Sequence, residues 1–148
     1  MKQIFFLILV LFLGCAVKEK PIYAVIKSDY VKIADQGFLK EGFGYKEIVI
    51  YKAGIRPVSI EIKNSVVCLN GKCMDKEKFI KNIDKSYPVN LLDNILEKKP
   101  LDFLGKITKT KYGFIQKNER FFYRVSKNSV LFKDRYKHIF IIIKYLKD

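Results

Sequence analysis

Few residues in this chain could do acid–base or covalent chemistry, and they are widely spaced. His138, in "DRYKHIF", is the single histidine. No serine stands beside it in a nucleophile-elbow context, no glycine-rich stretch could cradle a phosphate, and the Asp and Glu residues are scattered without a pair. General acid–base catalysis needs such groups within reach of one substrate. The expectation is a protein that is not an enzyme, uses no cofactor and holds no metal. His138 reads as a surface or half-buried residue entering a strand. The remaining reactive side chains are three cysteines: Cys15, Cys68 and Cys73.

Cys15 closes the N-terminal segment "MKQIFFLILVLFLGC". One positive charge at Lys2 precedes an unbroken apolar run from Ile4 to Leu13. Ten residues are about half of what a membrane-spanning helix requires, so the run fits a signal-peptide core. Phe12-Leu13-Gly14-Cys15 resembles a bacterial lipoprotein signal, in which cleavage precedes an acylated cysteine. That resemblance implies a signal peptide over 1–14 and a lipid anchor at Cys15. The alternative is an ordinary secretory signal with an incidental cysteine. Ala16 stands where an inner-membrane retention signal usually carries Asp, so the resemblance implies the outer membrane, with the protein facing the periplasm. Several acyl chains would make such an anchor essentially permanent.

Cys68 and Cys73 flank "LNGK". Asn-Gly is the strongest short hairpin signal, because both residues tolerate positive φ in a type I′ turn. With Asn70 and Gly71 in the turn, Leu69 pairs with Lys72 and Cys68 with Cys73. The two cysteines then face each other at about 4.5 Å between Cα atoms, a separation that a disulfide can bridge. An exported chain meets an oxidising compartment, so a structural disulfide is expected, pinning the hairpin more than the whole domain.

The elements around these residues follow from hydrophobic periodicity. Residues 15–29 are charged, contain Pro21 and show no sustained period, so they read as a lipidated tether, with a single domain over 30–148. From Tyr30 onward strands dominate. "FGYKEIVIYK" is β-branched and aromatic, and "VSIEIK" sets Val58, Ile60 and Ile62 on one face. Between them, "AGIRP" reads as a turn. After the cysteine hairpin, Asp75 can cap a short helix, with Met74 and Phe79 placed as a hydrophobic staple. A second helix begins near Pro88, carries Leu91, Leu92, Ile95 and Leu96 on one face, and stops at Pro100. Strands then resume. The last, "KHIFIIIKYL", is apolar on both faces and belongs inside a sheet. The order of strands, two short helices and more strands predicts an α+β domain built on one strongly curled antiparallel sheet. Four aliphatic residues on one helix face would lie across its open side.

This arrangement resembles the lipoprotein carrier and receptor family, LolA and LolB. The hairpin and helix are "VCLNGKCMDKEKFI", the lid is "YPVNLLDNILEKKPL", and the closing strands run from "GFIQK" to "IIIKYL". The resemblance implies a half-open β-barrel with the two mid-chain helices as lid. It also implies an apolar cavity for acyl chains, and as partners acylated lipoproteins or a periplasmic carrier. Its candidate cavity residues are Ile60, Ile62, Val67, Leu91, Leu92, Ile95 and Leu96. Ile55, in "AGIRP", occupies the place of a membrane-contacting loop residue.

The net charge is +14, and +13 once residues 1–14, with their single Lys, are removed. That balance suits anionic lipid headgroups; nucleic acid is not expected outside the cytoplasm. Only four of the 29 basic residues are Arg, so AT-rich codon bias explains the charge equally well. The rival to a lipid-binding monomer is a lipid-anchored interaction module, an envelope-assembly accessory or adhesin, with a filled core.

Overall fold

The alternating apolar patterns become a single antiparallel sheet. The computed structural model describes residues 17–51 and 57–147. The segment read as a signal peptide, Cys15 and Ile55 lie outside these. The strands are β1 (Lys18–Lys27), β2 (Lys32–Gly42), β3 (Tyr45–Ile50), β4 (Val58–Lys63), β5 (Val66–Leu69) and β6 (Lys72–Asp75). Two helices follow, α1 (Lys76–Ile83) and α2 (Leu91–Leu96), then a 3-10 turn at Asp102–Leu104. The second set of strands is β7 (Thr108–Thr110), β8 (Gly113–Lys117), β9 (Phe121–Ser126), β10 (Ser129–Asp134) and β11 (Ile139–Tyr145). The sheet order is β6-β5-β4-β3-β2-β1-β11-β10-β9-β8-β7. Two meanders therefore meet at one seam, where β1 pairs antiparallel with β11 from Ile22↔Tyr145 to Lys27↔Phe140.

Within the segment read as a tether, 15–29, Lys18–Lys27 is instead β1, at the centre of the sheet, so the sheet includes these residues and does not start at residue 30. Ile22, Ala24 and Ile26 are buried on one face, while Tyr23 and Val25 are half-buried on the other. The flanking lysines and Pro21 hide this alternation. Pro21 is tolerated because its carbonyl accepts from Leu146 N (3.0 Å) where the β1–β11 ladder ends, so its missing N–H removes no ladder bond. The both-sided strand β11 lies between β1 and β10, as its pattern requires.

The sheet is curled. β5 and β10 are six strand steps apart, which in a flat sheet is about 29 Å at roughly 4.8 Å per step. Yet Leu69 of β5 and Phe132 of β10 line one cavity together with α1 and α2. Close backbone approach accompanies the curl at Gly37, where an added Cβ would stand 2.0 Å from the Val49 carbonyl oxygen.

The helices start and stop as their ends dictate. Asp75 caps α1, its side chain accepting from Lys78 N at 2.8 Å. Phe79 and Ile80 are buried, whereas Met74 remains exposed and makes no staple-like burial. In α2, Leu91, Ile95 and Leu96 are buried and Leu92 is half-buried. Both helices cover the concave face; the convex face has no covering element among the described residues.

Gly37→Ala is expected to lower stability by about 1–3 kcal/mol, the usual cost of forcing atoms into packed space. Thermal or urea unfolding measures it. An unchanged midpoint would show that β2 and β3 do not approach this closely.

Candidate functional site

The inward-facing residues of β1, β3, β4, β5, β10 and β11 and the apolar faces of α1 and α2 enclose a cavity of about 80 Å³. Its walls are almost wholly apolar. Of the seven candidate residues, Ile60, Ile62, Leu91, Leu92, Ile95 and Leu96 line it. Val67 is buried beside them in the core but contributes no wall. The periodicity of "VSIEIK" and "LLDNIL" puts these six on shared apolar faces; their nomination as cavity wall came from the family resemblance. It missed Ile26, because β1 was hidden, and Tyr87, which sits in the connection between the helices. Ile139, Ile141 and Ile143 also line the cavity, and the both-sided pattern of β11 could have nominated them.

Polar contacts hold the helices over this space. At one end, Arg120, before β9, donates from Nε and Nη2 to Asp134 Oδ2 (3.0 and 2.6 Å) and from Nη2 to Asp84 Oδ2 (2.8 Å). Tyr87 OH also donates to Asp134 Oδ2. The other Asp134 oxygen accepts from the backbone N–H groups of Tyr136 and Lys137. The connection Asp84–Tyr87 is thus tied to the end of β10. At the other end, Lys46 of β3 meets Glu97 at 2.6 Å, and Tyr145 OH donates to the Leu96 carbonyl at 3.2 Å. Lys76 and Asp93 join α1 to α2 at 2.9 Å. Gln116, itself buried, accepts from Leu101 N and donates to the Leu101 and Gly105 carbonyls, fixing the chain after α2.

The electrostatics follow from these partners. Hydrogen bonds from Ser86 and the charge of Arg120 hold the Asp84 carboxyl well below the usual carboxylate range. Burial by itself would push Asp134 up, but the bonds from Arg120, Tyr87 and two backbone amides outweigh it and keep this carboxyl low. Burial, reinforced by Asp134, pushes the Tyr87 hydroxyl far up, so it stays a donor. Glu97 is lowered by its bonds to Lys46 and Lys99.

The remaining candidates are placed simply. Cys68 and Cys73 are a facing pair joined as a disulfide, with Asn70 (φ 50°) and Gly71 (φ 80°) in the turn. His138 is exposed in the turn between β10 and β11. Among the described residues, no group of three or more His, Cys, Asp or Glu is placed to hold a metal ion. What the arrangement offers chemically is an apolar space between the concave sheet and two short helices. Compared with known protein families, curated proteins and solved structures, the chain matches none.

Arg120→Met should destabilise the fold by on the order of 3 kcal/mol, toward the low end for stranding a buried carboxylate because the guanidinium keeps some water contact. Asp84 and Asp134 titrate lower in the folded chain than in the unfolded one. Their contribution is therefore full above the unfolded value of about 3.9 and is lost as pH falls through the folded values. Urea melts from pH 7 down to pH 2 should show the wild type weakening below about pH 4, and the variant weakening less steeply. Equal stability at pH 7 would show that the triad contributes nothing.

Proposed function

We propose that this protein is an outer-membrane lipoprotein, anchored through Cys15, that takes an acyl chain of a lipoprotein or lipid beneath its helical cover. This is the role of a receptor similar to the LolA and LolB family. The observation that carries the reading is the cavity itself: concave sheet and helix faces converge on it, and its walls offer an incoming group apolar contact and almost no polar contact. Binding there needs no covalent chemistry. Each CH₂ moved from water into such walls contributes about 0.8 kcal/mol.

The space beneath the helices is smaller than the roughly 300–1,000 Å³ of typical ligand sites. An acyl chain therefore enters only as α1 and α2 move off the sheet. The contacts that resist this movement are of two kinds. The ion pair between Lys46 of β3 and Glu97 is partly exposed, and such a pair is worth about 0–1 kcal/mol. The Arg120 triad is better shielded and would act as the hinge side of the cover.

A second reading is favoured by the convex face. Tyr23, Val25, Phe122, Leu131, Phe140 and Ile142 are half-buried there, with no covering element among the described residues. A lipid-anchored interaction module with a filled core would use this face for protein contacts.

Native mass spectrometry of a form lacking residues 1–15, exported to the periplasm, separates the two. A co-purifying lipid or acylated protein near one-to-one is expected. Leu92→Asp, at a half-buried wall position, should abolish it without changing the circular-dichroism melt. A mass that stays apo after incubation with lipoproteins would overturn the acyl-binding reading in favour of the interaction module.

A further inference from the structure

The strand registers sort the loops of the sheet into two rims. One rim collects the start of β1 and the end of β11 with four turns: Phe43-Gly44, Asn64-Ser65, Lys111-Tyr112 and Lys127-Asn128. The other collects the end of β1, the β5–β6 turn and the β10–β11 turn, and it is where β3 ends and β4 begins. Ile55 belongs to that second connection.

Phe43 is the most exposed large apolar residue among those described, at 101% of its reference surface. It sits between Gly42 and Gly44, and Gly44 has φ 64°, so a tight turn presents the ring with no neighbour to cover it. Val17, Tyr112 and Leu146, all exposed, share its rim. Basic residues surround them: Lys18, Lys63, Lys111, Lys127 and Lys147. None of the four turns contains Asp or Glu. Apolar tips among lysines fit a surface with phosphate groups outside and hydrocarbon just beneath.

The chain length supplies the second argument. Only Ala16 and Val17 separate Cys15 from β1. Three residue steps reach at most about 10 Å, whereas β1, ten residues long, carries the far rim about 30 Å away at roughly 3.3 Å per residue. We infer that the rim bearing Phe43, with Val17, Tyr112 and Leu146, is a phospholipid-contacting surface, the Phe43 ring seated at the boundary between headgroups and acyl chains. The inference rests on Cys15 as the anchor. It sets the rim where β3 ends and β4 begins away from the bilayer, opposite to the expectation drawn from the family resemblance.

The chain has no Trp, so a single introduced indole reports its own depth. The acylated mature protein is reconstituted into vesicles of phosphatidylethanolamine and phosphatidylglycerol, with or without doxyl-labelled lipid. The Phe43→Trp variant should emit at shorter wavelength than in detergent-free buffer after proteolytic release, and should lose most of its emission to the doxyl label. Tyr112→Trp, on the same rim, should follow it, and Tyr136→Trp, on the far rim, should not be quenched. Flotation of the same samples reports anchoring separately. Protein that floats with position 43 unquenched overturns this inference and leaves the anchor intact. Protein that fails to float overturns both.

Discussion

The pairing of β1 with β11 is the contact on which the rest of this molecule depends. It joins residues 22–27 to residues 140–145, the two ends of the described chain, and without it the N-terminal and C-terminal meanders are separate sheets with one apolar face each. Neither meander closes on the helices alone. The seam brings Ile26 of one half beside Ile141 and Ile143 of the other, and all three become cavity wall. Because the partners are so far apart in sequence, the loop-closure entropy is met late and returned only when the whole core forms.

Once the sheet is joined and curled, the cover is defined by what it must hide. α1 and α2 are short, eight and six residues, and helices of that length have little stability of their own in water. They persist because Phe79, Ile80, Leu91, Ile95 and Leu96 are buried against the sheet. Side chains from the strands also hold their ends, and no buried side-chain polar atom among the described residues lacks a partner. The cover is thus built from burial in its middle and charge at its margins.

The two rims divide the labour that the proposals assign. One carries apolar tips, lysines and the short run to Cys15. The other carries the Arg120 triad, the cysteine hairpin and the connection that includes Ile55.

The sequence by itself determined whatever depends on a few neighbouring residues. Alternation marked β4, and the both-sided pattern of "HIFIIIKYL" marked an interior strand. Asn70-Gly71 set the register that joins Cys68 to Cys73, and Asp75 started α1. It also put six residues of β4 and α2 on the apolar faces that turn toward the cavity, since a residue's face follows from its period. Tertiary structure alone decided the rest. That Lys18–Lys27 is the central strand depended on a partner more than a hundred residues away, while its own lysines and proline read as tether. That Val67 fills core and Leu92 lines a void depended on how far the sheet curls. That Arg120 lies between Asp84 and Asp134, three residues from three elements, is invisible until the chain has folded. Local rules act over a turn or a hairpin; strand order and burial are set by contacts between residues that the chain itself keeps far apart.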